Sequence, residues 1–70
     1  MEKNIQDYDI IEFVRKFTGE THHAPAIRDF LSLGFVSTSH IRYRIDKLVD
    51  AGRLGRTPGI SRSIYVKEEE

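Results

Sequence analysis

The hydrophobic period of the chain changes after Gly52, and that change limits its fold more than any other feature. Ile41, Ile45, Leu48 and Val49 repeat at i, i+4, i+7 and i+8, which is one face of a helix. Ser37 offers an N-cap oxygen and Gly52 a stop, so the spacing predicts a helix from Thr38 to about Ala51. Beyond Gly52 the period becomes two. Leu54, and later Ile64 and Val66, alternate with polar or small neighbours as short strands do. Between them Thr57-Pro58-Gly59-Ile60-Ser61 carries a Pro-Gly turn signal, so the segment reads as a hairpin.

Two further helices precede this unit. Ile10, Phe13, Val14 and Phe17 stand at i, i+3, i+4 and i+7. With Asn4 as N-cap and Asp7 complementing the dipole in the first turn, the first helix is expected from about Ile5 to Thr18, stopping at Gly19. Glu20 to Pro25 is a polar connector. A second, short helix is expected from near Ala26, with Ile27, Phe30 and Leu31 as its apolar stripe and Gly34 as its end. Phe35 and Val36 follow as apolar turn residues. The order helix, helix, helix, strand, turn, strand is mainly α with a small β-hairpin, an α+β winged helix-turn-helix. Its expected core is Ile10, Phe13, Val14, Phe17, Ile27, Phe30, Ile41, Ile45, Leu48, Leu54 and Ile64.

Seventy residues hold one core, so a single domain over 1–70 is expected, ordered over about 4–67 with a fraying acidic tail at 68–70. There is no Cys, which excludes disulfide frameworks and Cys-based zinc sites. No apolar run approaches the roughly 20 residues that span a bilayer, and the polar N-terminus lacks a signal-peptide core, so a cytoplasmic location is expected. A chain this short presents a surface more readily than a water-excluding pocket, so binding is expected rather than catalysis. His22, His23 and His40 have no clustered carboxylate to complete four ligands, so no metal site is expected. Ser39 and His40 point 100° apart on a helix and have no third group to orient the imidazole, so no catalytic residue is assigned. Gly55 and Gly59 lack phosphate-loop spacing, and neither a cofactor nor a small-molecule ligand is evident.

The formal charge is zero, yet it is segregated. Residues 1–27 carry a net of minus two, residues 28–67 plus five, and the tail minus three. A partner meets faces rather than sums. Advancing 100° per residue from Ile41 places Tyr43 and Ser39 opposite the apolar stripe, with His40 beside them and Arg42 on the shoulder. This set suits a DNA major groove. A recognition helix aims its N-terminal half at base edges, and arginine can fork onto guanine O6 and N7. Lys47, further along, suits a phosphate, as does the positive helix end near Ser37. Arg56 and Arg62 on the hairpin are placed to grip backbone, and Arg28 of the second helix to reach a flanking phosphate.

The segment Ala24-Pro25-Ala26-Ile27-Arg28-Asp29-Phe30, then Leu33-Gly34-Phe35 and Ser37, resembles the N-terminal DNA-binding domain of LexA-type repressors. So do the helix ending Leu48-Val49-Asp50-Ala51-Gly52 and the hairpin from Arg53-Leu54 to Ser61-Arg62-Ser63-Ile64. The likeness covers nearly the whole chain back to Asn4. It implies a winged helix that binds double-stranded DNA as a small transcriptional regulator, a repressor, with the third helix in the major groove and the wing on the backbone. By the family pattern Ser39, His40, Arg42 and Tyr43 align with base-reading positions, Ser37 with a backbone contact and Arg62 with a wing residue near phosphate. The chain departs from that pattern in three ways. The usual Ser or Thr cap of the second helix is Ala26, that helix is one residue shorter, and a position often apolar in the wing is Arg56. The self-cleaving peptidase domain, which supplies most of the family's dimer contact, is absent from these residues.

Two other partners fit the same fold. A winged helix can bind protein, as an assembly subunit or anti-repressor, and fold alone does not choose. An RNA partner fits less well, because a helix cannot enter the deep groove of A-form RNA. Tight site-specific binding by so small a module calls for two copies on a two-fold operator. A monomer in dilute solution is expected, with the first helix's flank at Tyr8 and Ile11 as the pairing patch.

Overall fold

A computed structural model of the chain describes residues 4–57, 59–60 and 62–67. Pro58 and Ser61 of the expected turn, and the tail at 68–70, lie outside the described residues. Helix 1 spans Asp7–Thr21, helix 2 spans Ile27–Leu33 and helix 3 spans Thr38–Asp50. Strands β1 (Leu54–Gly55) and β2 (Tyr65–Val66) pair antiparallel, Leu54 opposite Val66 and Gly55 opposite Tyr65. Three helices followed by a short hairpin are the winged helix-turn-helix that the hydrophobic pattern predicts.

Helix 3 keeps its expected bounds because both ends are chemically fixed. The Ser37 hydroxyl accepts the His40 N–H at 3.3 Å. At the other end Gly52 adopts φ 78°, its N–H reaches the Val49 carbonyl, and the Arg53 N–H reaches Leu48 at 2.9 Å. That pair of bonds is a Schellman closure, which the missing Cβ of glycine permits.

Helix 1 corrects the expected ends. Its N-cap is Gln6, not Asn4, and the Gln6 N–H donates to the Asp9 carboxylate at 3.0 Å. Ile5 and Ile10, the two positions of a hydrophobic staple about that cap, are both buried in the core. The helix also runs through Gly19. The Thr21 hydroxyl donates to the Phe17 carbonyl at 2.8 Å, and His22, left-handed at φ 63°, closes the end through its N–H on Thr18. A helical glycine costs only about 1 kcal/mol, and these end contacts are local, since residues 18–21 are exposed.

Helix 2 is a 3-10 helix, and its period of three redistributes the stripe. Ile27, Phe30 and Leu33 share the inner face, while Leu31, expected inside, is 41% exposed. Its cap residue Ala26 has no side-chain oxygen. The Asp29 carboxylate supplies the start instead, accepting the Ala26 N–H at 2.8 Å.

The core gathers Ile10, Val14, Phe30, Ile41, Ile45, Leu48, Leu54 and Ile64 as expected, and adds Ile5, Ile11 and Phe35. Phe13 and Ile27 are half-buried against it. Phe17 is half-buried too, but stands outside the central cluster, its ring 5.6 Å from that of Phe13. Ile11 overturns the expected pairing patch. It is buried with helix 1's inner face, so Tyr8, 67% exposed, stands without its apolar neighbour.

Candidate nucleic-acid interface

The outward side of helix 3 carries the four residues aligned with base reading. Ser39, Arg42 and Tyr43 are exposed, and Tyr43 keeps 59% of its surface accessible. His40 is half-buried, its ring edge-on to Phe35 at 5.5 Å and 83°. That contact ties the start of helix 3 to the turn before it. Arg42 makes no ion pair among the described residues. Lys47, one turn after Tyr43, holds its ammonium 5.5 Å from the centre of the tyrosine ring. The ring face attracts that charge, which orders both side chains on the exposed face.

The wing stands beside this helix across a groove of about 610 Å³. Arg42 lines it from the helix, Arg56 and Arg62 from the wing, and Ile27 and Ile64 contribute apolar lining. Three of the nine residues marked by sequence therefore converge on one groove. Ser39, His40 and Tyr43 share the N-terminal half of helix 3 outside it, with Lys47 further along and Ser37 at the cap. Arg28 is exposed on helix 2.

The arm of the wing is shaped by one hydroxyl. Ser63 Oγ accepts the Thr57 N–H at 3.0 Å and donates to the Ile60 carbonyl at 2.8 Å. The Ile60 N–H returns to the Thr57 carbonyl at 3.2 Å across Gly59, which sits at φ 80°. This is a β-turn with a positive-φ position that glycine occupies without steric cost.

Sequence reading missed the acidic members of the site. Arg56 pairs with Asp46 of helix 3 at 3.0 Å, and Arg62 with Asp29 of helix 2 at 3.2 Å. Arg44, on the other shoulder of helix 3, pairs with Asp7 of helix 1 at 2.9 Å. The net of plus five along residues 28–67 already subtracts Asp29 and Asp46, and the structure places those two acids against the wing arginines. The available signal was misleading. Asp46 follows Arg42 by four residues, the spacing of a helical ion pair, yet it turns to Arg56. Among the described residues no group of three or more His, Asp or Glu side chains is placed to hold a metal ion. No helix among them is long and apolar enough to cross a membrane.

Comparison with known proteins bears on this arrangement. The chain is 34% identical over 59 residues to the LexA repressor of Ruminiclostridium cellulolyticum, an alignment that covers 83% of the chain and 27% of that protein. The chain therefore spans about a quarter of that relative's length. Residues 5–63 match the family model described as the LexA DNA binding domain. With all three helices, the Ser37 cap and the first wing strand inside the matched region, the chain belongs to the LexA DNA-binding domain family.

Proposed function

We propose that the chain binds double-stranded DNA sequence-specifically as a small transcriptional regulator, acting as a repressor on DNA in the cytoplasm. Helix 3 enters the major groove, where Arg42, Ser39, His40 and Tyr43 meet base edges. Arg56 and Arg62 of the wing, with Arg28, Ser37 and Lys47, hold the backbone. The observation that carries this reading is the placement of Arg42. It is exposed on the reading face, has no carboxylate partner among the described residues, and lines the groove opposite the two wing arginines. A guanidinium so placed can fork onto a guanine while the neighbouring strand's phosphates lie against the wing. The interface of a single module is about 600–1,000 Å², so two copies on a two-fold site supply the affinity a regulator needs.

Selection of bound duplexes from a random pool tests this directly. An enriched site, with half-sites about one helical turn apart, is the expected result. Arg42→Ala should then cost about 1–3 kcal/mol on that site and relax preference at one base pair. A pool that shows no enrichment would refute sequence-specific binding. Retention of full preference by the Arg42 variant would remove helix 3 as the reader.

A further inference from the structure

Both wing arginines are already engaged by carboxylates. Arg62 Nη1 lies 3.2 Å from Asp29 Oδ2, and Arg56 Nη2 lies 3.0 Å from Asp46 Oδ1. Asp29 caps helix 2 through the Ala26 N–H, a bond that a neutral carboxamide oxygen can also accept. Asp46 makes no other hydrogen bond among the described residues. The Arg62 and Arg56 side chains are 52% and 38% exposed, and ion pairs in such surroundings add little stability. The Arg44–Asp7 pair differs. It joins helix 3 to helix 1, and neither member lines the groove.

We propose that Asp29 and Asp46 are specificity-determining residues that act through the wing arginines, lowering affinity for duplexes on which helix 3 is not seated. The inference rests on the DNA-binding reading above. Loose association with a duplex is driven by charge alone, through phosphates that exchange counterions for arginine. A phosphate that meets Arg56 or Arg62 in a loose encounter must compete with a carboxylate and is repelled by it. The gain from each wing cation is then small. In the seated complex the geometry is fixed, and a guanidinium offers five N–H donors. Arg62 gives Nη1 to Asp29 and retains Nη2 and Nε for a phosphate, so the wing contact is kept. The acids therefore penalise the wrong partner more than the right one, which is how specificity is raised by repulsion.

The test uses Asp29→Asn, Asp46→Asn and the double variant on the full chain, with Asp7→Asn as control. Circular dichroism melts establish that each is folded. Binding is measured on the duplex obtained by selection and on a scrambled duplex, over a salt series. Affinity for the scrambled duplex should rise by up to about fivefold per variant, the range of an exposed ion pair. Affinity for the selected duplex should rise by a smaller factor, so the ratio of the two falls. The salt slope on scrambled duplex should steepen by about one unit for each arginine released. Asp7→Asn should leave ratio and slope unchanged. A merely structural role would lower both affinities together at constant slope, and that result, or an unchanged ratio in the double variant, overturns the proposal. Failure of the chain to select any site would remove the DNA-binding reading and this inference with it. A selected site whose preference is untouched in the double variant would remove this inference alone.

Discussion

Gly55 faces Tyr65 directly across the two-stranded pair. A Cβ built on Gly55 would clash with the hydroxyl end of the tyrosine ring, 2.5 Å from its Oη and 2.8 Å from its Cε2. The three atoms nearest that Cβ all belong to this ring, and the Gly55 backbone is not left-handed, so the ring is the first obstacle to alanine there. Gly55→Ala should therefore expel the ring. Tyr65 is 49% exposed, so about half of its surface is covered. For a side chain of about 200 Å² that is about 100 Å², worth at most about 2.5 kcal/mol. Reduced chain entropy of alanine in the unfolded state returns about 0.4–1 kcal/mol. The net loss should be about 1 kcal/mol, or a fall in Tm of about 4–8 °C for a domain of this size. The decisive measurement is a cycle with Tyr65→Ala, read by urea denaturation of the four chains. With the ring gone the three nearest atoms are removed, and Gly55→Ala should stabilise by about 0.4–1 kcal/mol. The sign of the substitution thus reverses, and the coupling should be about 1.4–2 kcal/mol, above the roughly 0.5 kcal/mol scatter of independent sites. Additive effects, or a Gly55→Ala chain as stable as the parent, would refute the argument that the ring owes its place to the missing Cβ.

Two further outcomes follow from burial and capping. Ile45→Ala and Ile11→Ala should each cost about 2–5 kcal/mol in denaturant midpoint, as core sites do. Tyr8→Ala on the exposed side of helix 1 should stay within about 0.5 kcal/mol; equal costs at Tyr8 and Ile11 would put the helix in another phase. Ser37→Ala removes the oxygen that accepts the His40 N–H and should lower stability by about 1 kcal/mol in a thermal melt, with Ser37→Gly costing only a few tenths.

Sequence resolved the elements whose ends are made by their own residues. Helix 3 was legible because Ser37 caps it, Gly52 closes it and four apolar residues keep one period between them. Helix 1 was legible in its face but not in its ends. Gly19 carries a stop signal, yet the helix continues to Thr21, where the Thr21 hydroxyl on the Phe17 carbonyl and the left-handed His22 make its end. Helix 2 is too short for its period to be read. Over seven residues the difference between 3.6 and 3.0 per turn decides only whether Leu31 or Leu33 turns inward. At the interface, helix phase predicted the exposed faces of Ser39, Arg42 and Tyr43. The pairing of Asp29 with Arg62 was out of reach, because 33 residues separate them and the wing's placement alone brings them together. Charge counted along a chain gives the sum but not which arginine each carboxylate faces.

The two-rung ladder of the wing gives the molecule two tiers of local stability. Leu54 and Ile64 anchor the hairpin's base in the core, while β1 and β2 offer only Leu54–Val66 and Gly55–Tyr65 as paired positions. Local opening needs little energy where few hydrogen bonds and few buried contacts must break together. Backbone amides at the arm should therefore exchange with solvent deuterium long before those of Ile41 or Ile45. An amide-exchange experiment on a duplex complex would then register its largest protection at the wing, even with base recognition residing in helix 3, whose amides are slow from the start. On the proposed binding mode, the part of the surface that reports binding most loudly would not be the part that chooses the sequence.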